Sequence, residues 1–189
     1  MTRPLMKRFE CLFCEHCCYF EDPIEMPTVF AWEKRLLEEL AEARGIRLEF
    51  EPIQIFRDKN GICVVTLYRW IIRGFCPFYD RETKKCTIHE KKPYACKMYP
   101  LLLEMPSGRL MVSGKCDWVK RNKDIIDRLM SKPDFIPKVF PNEFKAATNA
   151  FIEFSSISEY VSSKDFSKVT DLKDCKKVMD IDEYIARYG

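Results

Sequence analysis

The sequence predicts an α+β fold, and three observations carry that prediction. Cysteines crowd its first two-thirds, with Cys11, Cys14, Cys17 and Cys18 in one C-x-x-C-x-x-C-C run and Cys76, Cys86, Cys96 and Cys116 spread behind it. Two stretches alternate apolar and polar residues around a turn, as hairpins do. Several others place apolar residues three and four apart, the spacing of a half-buried helix. Residues 1–120 read as a small domain with two β-hairpins and amphipathic helices, organised by the cysteines. Residues 121–189 read as a helical region packed back on it.

Taken in order, the first helix follows the loop Glu21–Pro27. Val29, Trp32, Leu36, Leu40 and Ala43 step along one face, while Glu33, Lys34, Arg35, Glu38, Glu39 and Glu42 cover the other. Thr28 is placed to cap it and Gly45 to end it. Residues 47–69 then alternate through Leu48, Phe50, Ile53 and Ile55, and again through Ile62, Val64, Val65, Leu67 and Tyr68. The intervening Asp58-Lys59-Asn60-Gly61 predicts a two-residue Asn-Gly hairpin turn. Cys63 falls inside the second of these strands and reads as a small buried hydrophobe. Asp80–Lys85 forms a polar turn between Cys76 and Cys86. Pro93 starts a short helix that carries Cys96, and Pro100 stops it. Leu101–Met105 and Arg109–Ser113 flank Pro106-Ser107-Gly108 as a second hairpin that delivers Cys116. Asp117 is placed to cap a helix through about residue 130. The stripe Ala147, Ala150, Phe154, Ile157, Val161 predicts a long helix. Two short helices close the chain, with Leu172, Cys175 and Met179 on the first and Ile181, Ile185 and Tyr188 on the second. Asp180 and Glu183 offer a capping box, and Cys175 reads as packing.

Composition narrows the function classes. A chain of 189 residues, 47% hydrophobic and 13% aromatic, can bury a real core. Its net charge of +3 gives no general attraction to nucleic acid or to a membrane surface. The stretch before Cys11 has no apolar leader segment and no later run has transmembrane length, so a cytoplasmic protein is expected. The six glycines form no dinucleotide or phosphate loop, and no zincin helix, nucleophile elbow or calcium loop occurs. In a reducing compartment ten cysteines argue for metal over disulfides, with the intracellular disulfides of hyperthermophiles as the known exception.

Thiolates are soft metal ligands, and four within eight residues crowd their sulfurs however the backbone turns. Adjacent side chains such as Cys17 and Cys18 are expected to diverge, and eight thiols make two tetrathiolate sets, so two centres, or one centre with a set of spare thiols beside it, are expected. Cys11, Cys14 and Cys17 match the first three positions of a ferredoxin run, which predicts one or two 4Fe-4S iron-sulfur clusters. Zinc is the alternative, since structural zinc sites also use C-x-x-C knuckles. His16 and His89, the only histidines, can ligate or shuttle protons, and are expected to stack or hydrogen-bond near the site. Tyr79, Tyr94 and Tyr99 are expected to shield it from water.

The C-x-x-C-x-x-C-C run after Phe9, the Cys76-Pro77-Phe78 segment, and Cys86-x-Ile88-His89-x-x-Lys92-Pro93-x-x-Cys96-Lys97-x-Tyr99-Pro100 with a later Cys116 resemble the YkgJ-like cysteine-cluster family. The resemblance covers roughly residues 9–118. It implies zinc or iron chelation or an iron-sulfur cluster, with Cys11, Cys14, Cys17, Cys18, Cys76, Cys86, Cys96 and Cys116 as metal ligands. A flagellin lysine methylase is similar in cysteine pattern, which keeps a modifying enzyme open. His16 stands where that family commonly has Gly, and Lys92 and Lys97 stand where it favours Arg. Lysine keeps the charge without the bidentate fork, so Lys92 and Lys97 are candidates to hold an anionic cofactor or partner by charge alone. They belong to a segment, Arg81–Lys97, with six Lys or Arg against two Glu.

The functional expectation is an iron-sulfur protein in electron transfer, or a redox or modifying enzyme, acting with a redox or protein partner. The alternative is a zinc-held protein-interaction module without catalysis, and a weaker third is metal delivery or storage. No catalytic residue is assigned.

Overall fold

The structure, a computed structural model, describes residues 7–189, with Met130 by its backbone alone. Met1–Met6, where the absence of a leader was read, lie outside the described residues. The elements in chain order are β1 (Tyr19–Phe20), β2 (Thr28–Phe30), α1 (Ala31–Glu42), β3 (Glu49–Arg57), β4 (Ile62–Ile71), β5 (Gly74–Phe75), β6 (Tyr79–Asp80), β7 (Lys85–Cys86) and α2 (Tyr94–Met98). They continue with β8 (Leu101–Glu104), β9 (Arg109–Val112), α3 (Asp117–Arg121), α4 (Lys123–Ser131), α5 (Ile136–Val139), α6 (Pro141–Ser162), β10 (Ser167–Val169), β11 (Lys177–Asp180) and α7 (Ile181–Tyr188). The fold is α+β. Two compact units share the described residues, one of residues 7–19 and 78–152, the other of residues 20–77 and 153–189.

The second unit is built on a five-stranded sheet in the order β10-β3-β4-β11, with β2 also paired to β4. Residues 63–68 of β4 are buried, as expected of a central strand rich in branched side chains. The turn after β3 differs from the expected two-residue Asn-Gly form. Asp58 and Ile62 still pair, Gly61 N–H donates to Asp58 C=O at 3.1 Å, and Gly61 takes the left-handed conformation at φ +85°. A three-residue loop ending in left-handed glycine results. The Asp58 carboxylate fastens it, accepting from Asn60 N–H at 2.9 Å, Ile62 N–H at 2.8 Å and the Tyr184 hydroxyl at 3.0 Å. Register shifts beside Pro52, which has no N–H to pair, leave Ile53 exposed where alternation placed it inside.

Thr28 does not cap α1. It lies in β2, opposite Arg69, and the helix starts at Ala31 with the Glu33 carboxylate accepting from Phe30 N–H at 3.1 Å. The buried line is Glu33, Leu37 and Ala41, with Leu36 and Leu40 half-buried and Ala43 exposed, so the inward face is rotated from the expected stripe. The expected helix over Leu172–Met179 is also absent: β11 occupies its end and runs parallel to β4, with Val178 opposite Cys63. That pairing brings Cys63 and Cys175 together in a disulfide, their Cα atoms 5.5 Å apart. Neither residue is the lone packing group the sequence suggested, because a partner 112 residues away is invisible to local pattern. No Asp180–Glu183 capping box forms either. Asp180 instead accepts the Tyr68 hydroxyl and faces Lys34 at 3.8 Å and Arg35 at 3.7 Å. On α7, Ile181 and Tyr184 are buried while Ile185 and Tyr188 are exposed.

The first unit holds the small hairpin β6–β7, the hairpin β8–β9 and the start of α6. The β8–β9 register, Leu101↔Val112 to Glu104↔Arg109, is the expected second hairpin. Pro93 caps α2, and Tyr99 leaves helical geometry before Pro100, also as expected. The long helix α6 buries Ala147, Ala150, Phe154, Ile157 and Val161, the full predicted stripe. The single helix expected after Cys116 is broken at Asn122, whose buried amide donates to Trp118 C=O at 2.7 Å and separates α3 from α4. No helix among the described residues is long and apolar enough to cross a membrane.

Candidate metal centre

The core of the first unit gathers Leu101, Cys116, Trp118, Val119, Leu129, Val139 and Phe140, with Phe9 and Tyr99 packed against it. Phe9 anchors the cysteine run. Its N–H donates to Val139 C=O at 2.8 Å, and its ring meets Trp118 edge-on at 5.4 Å between centroids. Two residues later comes Cys11.

The run then bends sharply. Phe13 at φ 53° and Glu15 at φ 56° take the left-handed conformation without being glycine, at a cost of about 1–2 kcal/mol each. His16 N–H donates to Cys14 C=O and Cys18 N–H to Glu15 C=O, both at 2.7 Å. These turns overturn the expectation that Cys17 and Cys18 diverge: their Sγ atoms lie 3.8 Å apart. Two thiolates on one tetrahedral ion, each about 2.3 Å from it, would be about 3.8 Å apart.

Three cysteines from three segments share a second local device. The Phe13 N–H points at the Cys11 sulfur, the Ile88 N–H at Cys86, and the Val119 and Trp118 N–H groups at Cys116. Burial is the largest influence on all three and pushes each thiol up, while these donors favour the thiolate and pull the other way. Charge on neighbouring sulfurs adds to the upward push: Cys17 and Cys14 act on Cys11, Cys17 on Cys86, and Cys14 and Cys11 on Cys116. Cys17 is pushed up by its contact with Cys18 and then by burial. Mutual repulsion of this kind is relieved by a cation. The soft donors present suit zinc or iron.

Cys14, Cys17, Cys18, Cys86 and Cys96 are half-buried, Cys11 is exposed and Cys116 buried, all in the first unit. Cys76, half-buried, belongs to the second unit. Lys92 is half-buried, and its charge favours the thiolates of Cys11, Cys17 and Cys86. Lys97 lies 5.8 Å from the Tyr94 ring centroid. Tyr79 and Tyr99 feel the same sulfurs. Burial first, and then charge on Glu15, Cys18 and Cys17, pushes the Tyr79 hydroxyl up, and burial followed by charge on Cys116, Cys17 and Cys14 does so for Tyr99. His89 is exposed and held below the usual histidine range by Lys92 and then by burial.

Sequence reasoning missed Asp117. Expected as a cap, it is instead the first residue of α3, and its Oδ1 lies 3.2 Å from His16 Nε2. Its position directly after Cys116 was the available signal.

A family model described as "Putative zinc- or iron-chelating domain" (CxxCxxCC) matches residues 10–129. "Uncharacterized protein MJ0661" of Methanocaldococcus jannaschii is 27% identical over 108 residues, which cover 56% of this chain and 51% of that protein. The chain thus spans about half the length of that relative. No solved structure matches. The matched residues contain the four-cysteine run with Cys76, Cys86, Cys96 and Cys116, and the chain belongs to the CxxCxxCC family of zinc- or iron-chelating domains.

Proposed function

We propose that this metal-binding chain is an iron-sulfur protein that transfers electrons, or supports a redox or modifying reaction, with a protein partner. The supporting observation is Cys116: it is buried, faces two backbone N–H donors, and is coupled by charge to Cys14 and Cys11. A three-thiol C-x-x-C-x-x-C run with one remote cysteine is the ligand supply of a 4Fe-4S cluster. Cys11, Cys14, Cys17 and Cys116 are its proposed ligands, and Cys18, Cys86 and Cys96 are left for a second centre. A cluster supplies one-electron chemistry. The chain's own part is to hold the thiolates by Phe13, Val119 and Trp118 N–H groups, offset their charge with Lys92, and screen the site from water with Phe9, Trp118 and Tyr99.

Anaerobic reconstitution with iron and sulfide tests this. A broad visible band that bleaches with dithionite and is lost in Cys116→Ser supports the proposal, whereas equal colour in Cys116→Ser overturns the ligand set.

A second reading, a zinc-held surface that binds another protein, draws on the 3.8 Å Cys17–Cys18 sulfur pair, which suits one tetrahedral ion. Such protein would stay colourless and redox-silent.

A further inference from the structure

Among the described residues, Cys14, His16 and Asp117 each bring a donor atom within 4.8 Å of the other two. The three differ in chemistry: a thiol, an imidazole nitrogen and a carboxylate oxygen. His16 is drawn into this group by the left-handed turn at Glu15 and by its own N–H bond to Cys14 C=O. Asp117 is brought there by Cys116 and by the Phe9–Trp118 contact that fixes the start of α3. Two chain segments a hundred residues apart in sequence thus meet at the sulfur of one cysteine.

We infer that His16 is a nitrogen ligand to the metal bound beside Cys14, and that Asp117 positions its ring. The inference rests on the metal-binding reading in its single-ion form, since four cysteines would already fill a 4Fe-4S cluster, and adds to it a donor outside the cysteine set. Two ligands on one tetrahedral ion at about 2.0–2.3 Å stand about 3.3–3.8 Å apart, so Cys14 and His16, with donor atoms within 4.8 Å of each other, need close by only about 1 Å around an ion. Asp117 is assigned to positioning because its Oδ1 is already engaged, 3.2 Å from His16 Nε2 and 3.6 Å from Lys120 Nζ. A carboxylate on one ring nitrogen fixes the tautomer and leaves the other nitrogen's lone pair for the ion. Zinc and iron both accept imidazole beside thiolate.

The test uses Co2+ alone, added without oxygen to the reduced, metal-free full chain, with X-ray absorption at the cobalt edge and metal content read from one sample. Wild-type protein is expected to show outer-shell scattering from one imidazole, lost in His16→Gln. In His16→Cys one sulfur replaces it, which checks the assignment independently should His16→Gln fold poorly. Asp117→Asn, a positioning change, is expected to keep the imidazole signal while weakening Co2+ binding about 10–100-fold. Bound cobalt with no imidazole in wild-type protein overturns the inference and leaves metal binding intact. Unchanged affinity in Asp117→Asn overturns the positioning role. No bound cobalt in any variant overturns the metal reading and the inference with it.

Discussion

Phe9 stands edge-on to Trp118, and each lies two residues from a cysteine of the site, Phe9 before Cys11 and Trp118 after Cys116. This one aromatic contact sets where two distant thiols start. Phe9→Ala is expected to lower stability by about 2–3 kcal/mol in urea unfolding, below the cost for a fully buried Phe because Phe9 is half-buried. It is also expected to reduce bound metal per chain, with Phe9→Leu retaining most of both.

Burial and neighbouring sulfur charge push Cys11, Cys86 and Cys116 up, and contact with Cys18 followed by burial does so for Cys17, so these four thiols are protonated at neutral pH in the metal-free protein. Metal must displace those protons. Apparent metal affinity is therefore expected to rise steeply between about pH 6 and 8, with acid released on binding in weak buffer. For the metal-free protein the sign reverses. Folded thiols hold protons that unfolded ones lose near pH 8.5, so stability is full below about that value and falls as pH rises above it. Paired urea titrations at rising pH, with and without metal, check both slopes.

The Cys63–Cys175 disulfide closes a span of 112 residues. Metal-free, denatured, unreduced protein is expected to give eight thiols to a thiol reagent out of its ten cysteines. Replacing Cys63 and Cys175 together by Ala is expected to cost about 2–4 kcal/mol of stability and leave metal content unchanged. Ten reactive thiols would contradict the pairing.

At the tip of the β8–β9 hairpin, Gly108 sits at φ +71°, and an added Cβ would meet the Phe151 ring at 3.0 Å. Gly108→Ala carries both backbone strain and a clash. About 1–3 kcal/mol of destabilisation is expected by thermal or urea unfolding.

Much of this was legible in the sequence where a signal is local and repeated. The α6 stripe, the β8–β9 hairpin, the Pro93-to-Pro100 helix and the cysteine run each follow from residues within a turn or two of one another. What was missed depends on contacts across the chain. Cys63 and Cys175 met only through the parallel pairing of β11 with β4, and Asp180 was taken from its cap by Tyr68. Glu33 looked like a surface charge until Phe30 N–H claimed it. At the site, the thiols were visible as a set, but the convergence of Cys17 with Cys18 required left-handed Phe13 and Glu15, which neither residue type advertises. Asp117 read only as a helix cap, and its approach to His16 depends on a contact a hundred positions away in the chain.

The most direct test of an iron-sulfur centre in this protein is iron and acid-labile sulfide analysis, with a visible spectrum, on protein purified without oxygen from iron-supplemented cells. Iron with matching sulfide and a broad visible band is the expected result. Zinc with neither sulfide nor colour would contradict the iron-sulfur reading and leave a zinc-held binding surface in its place.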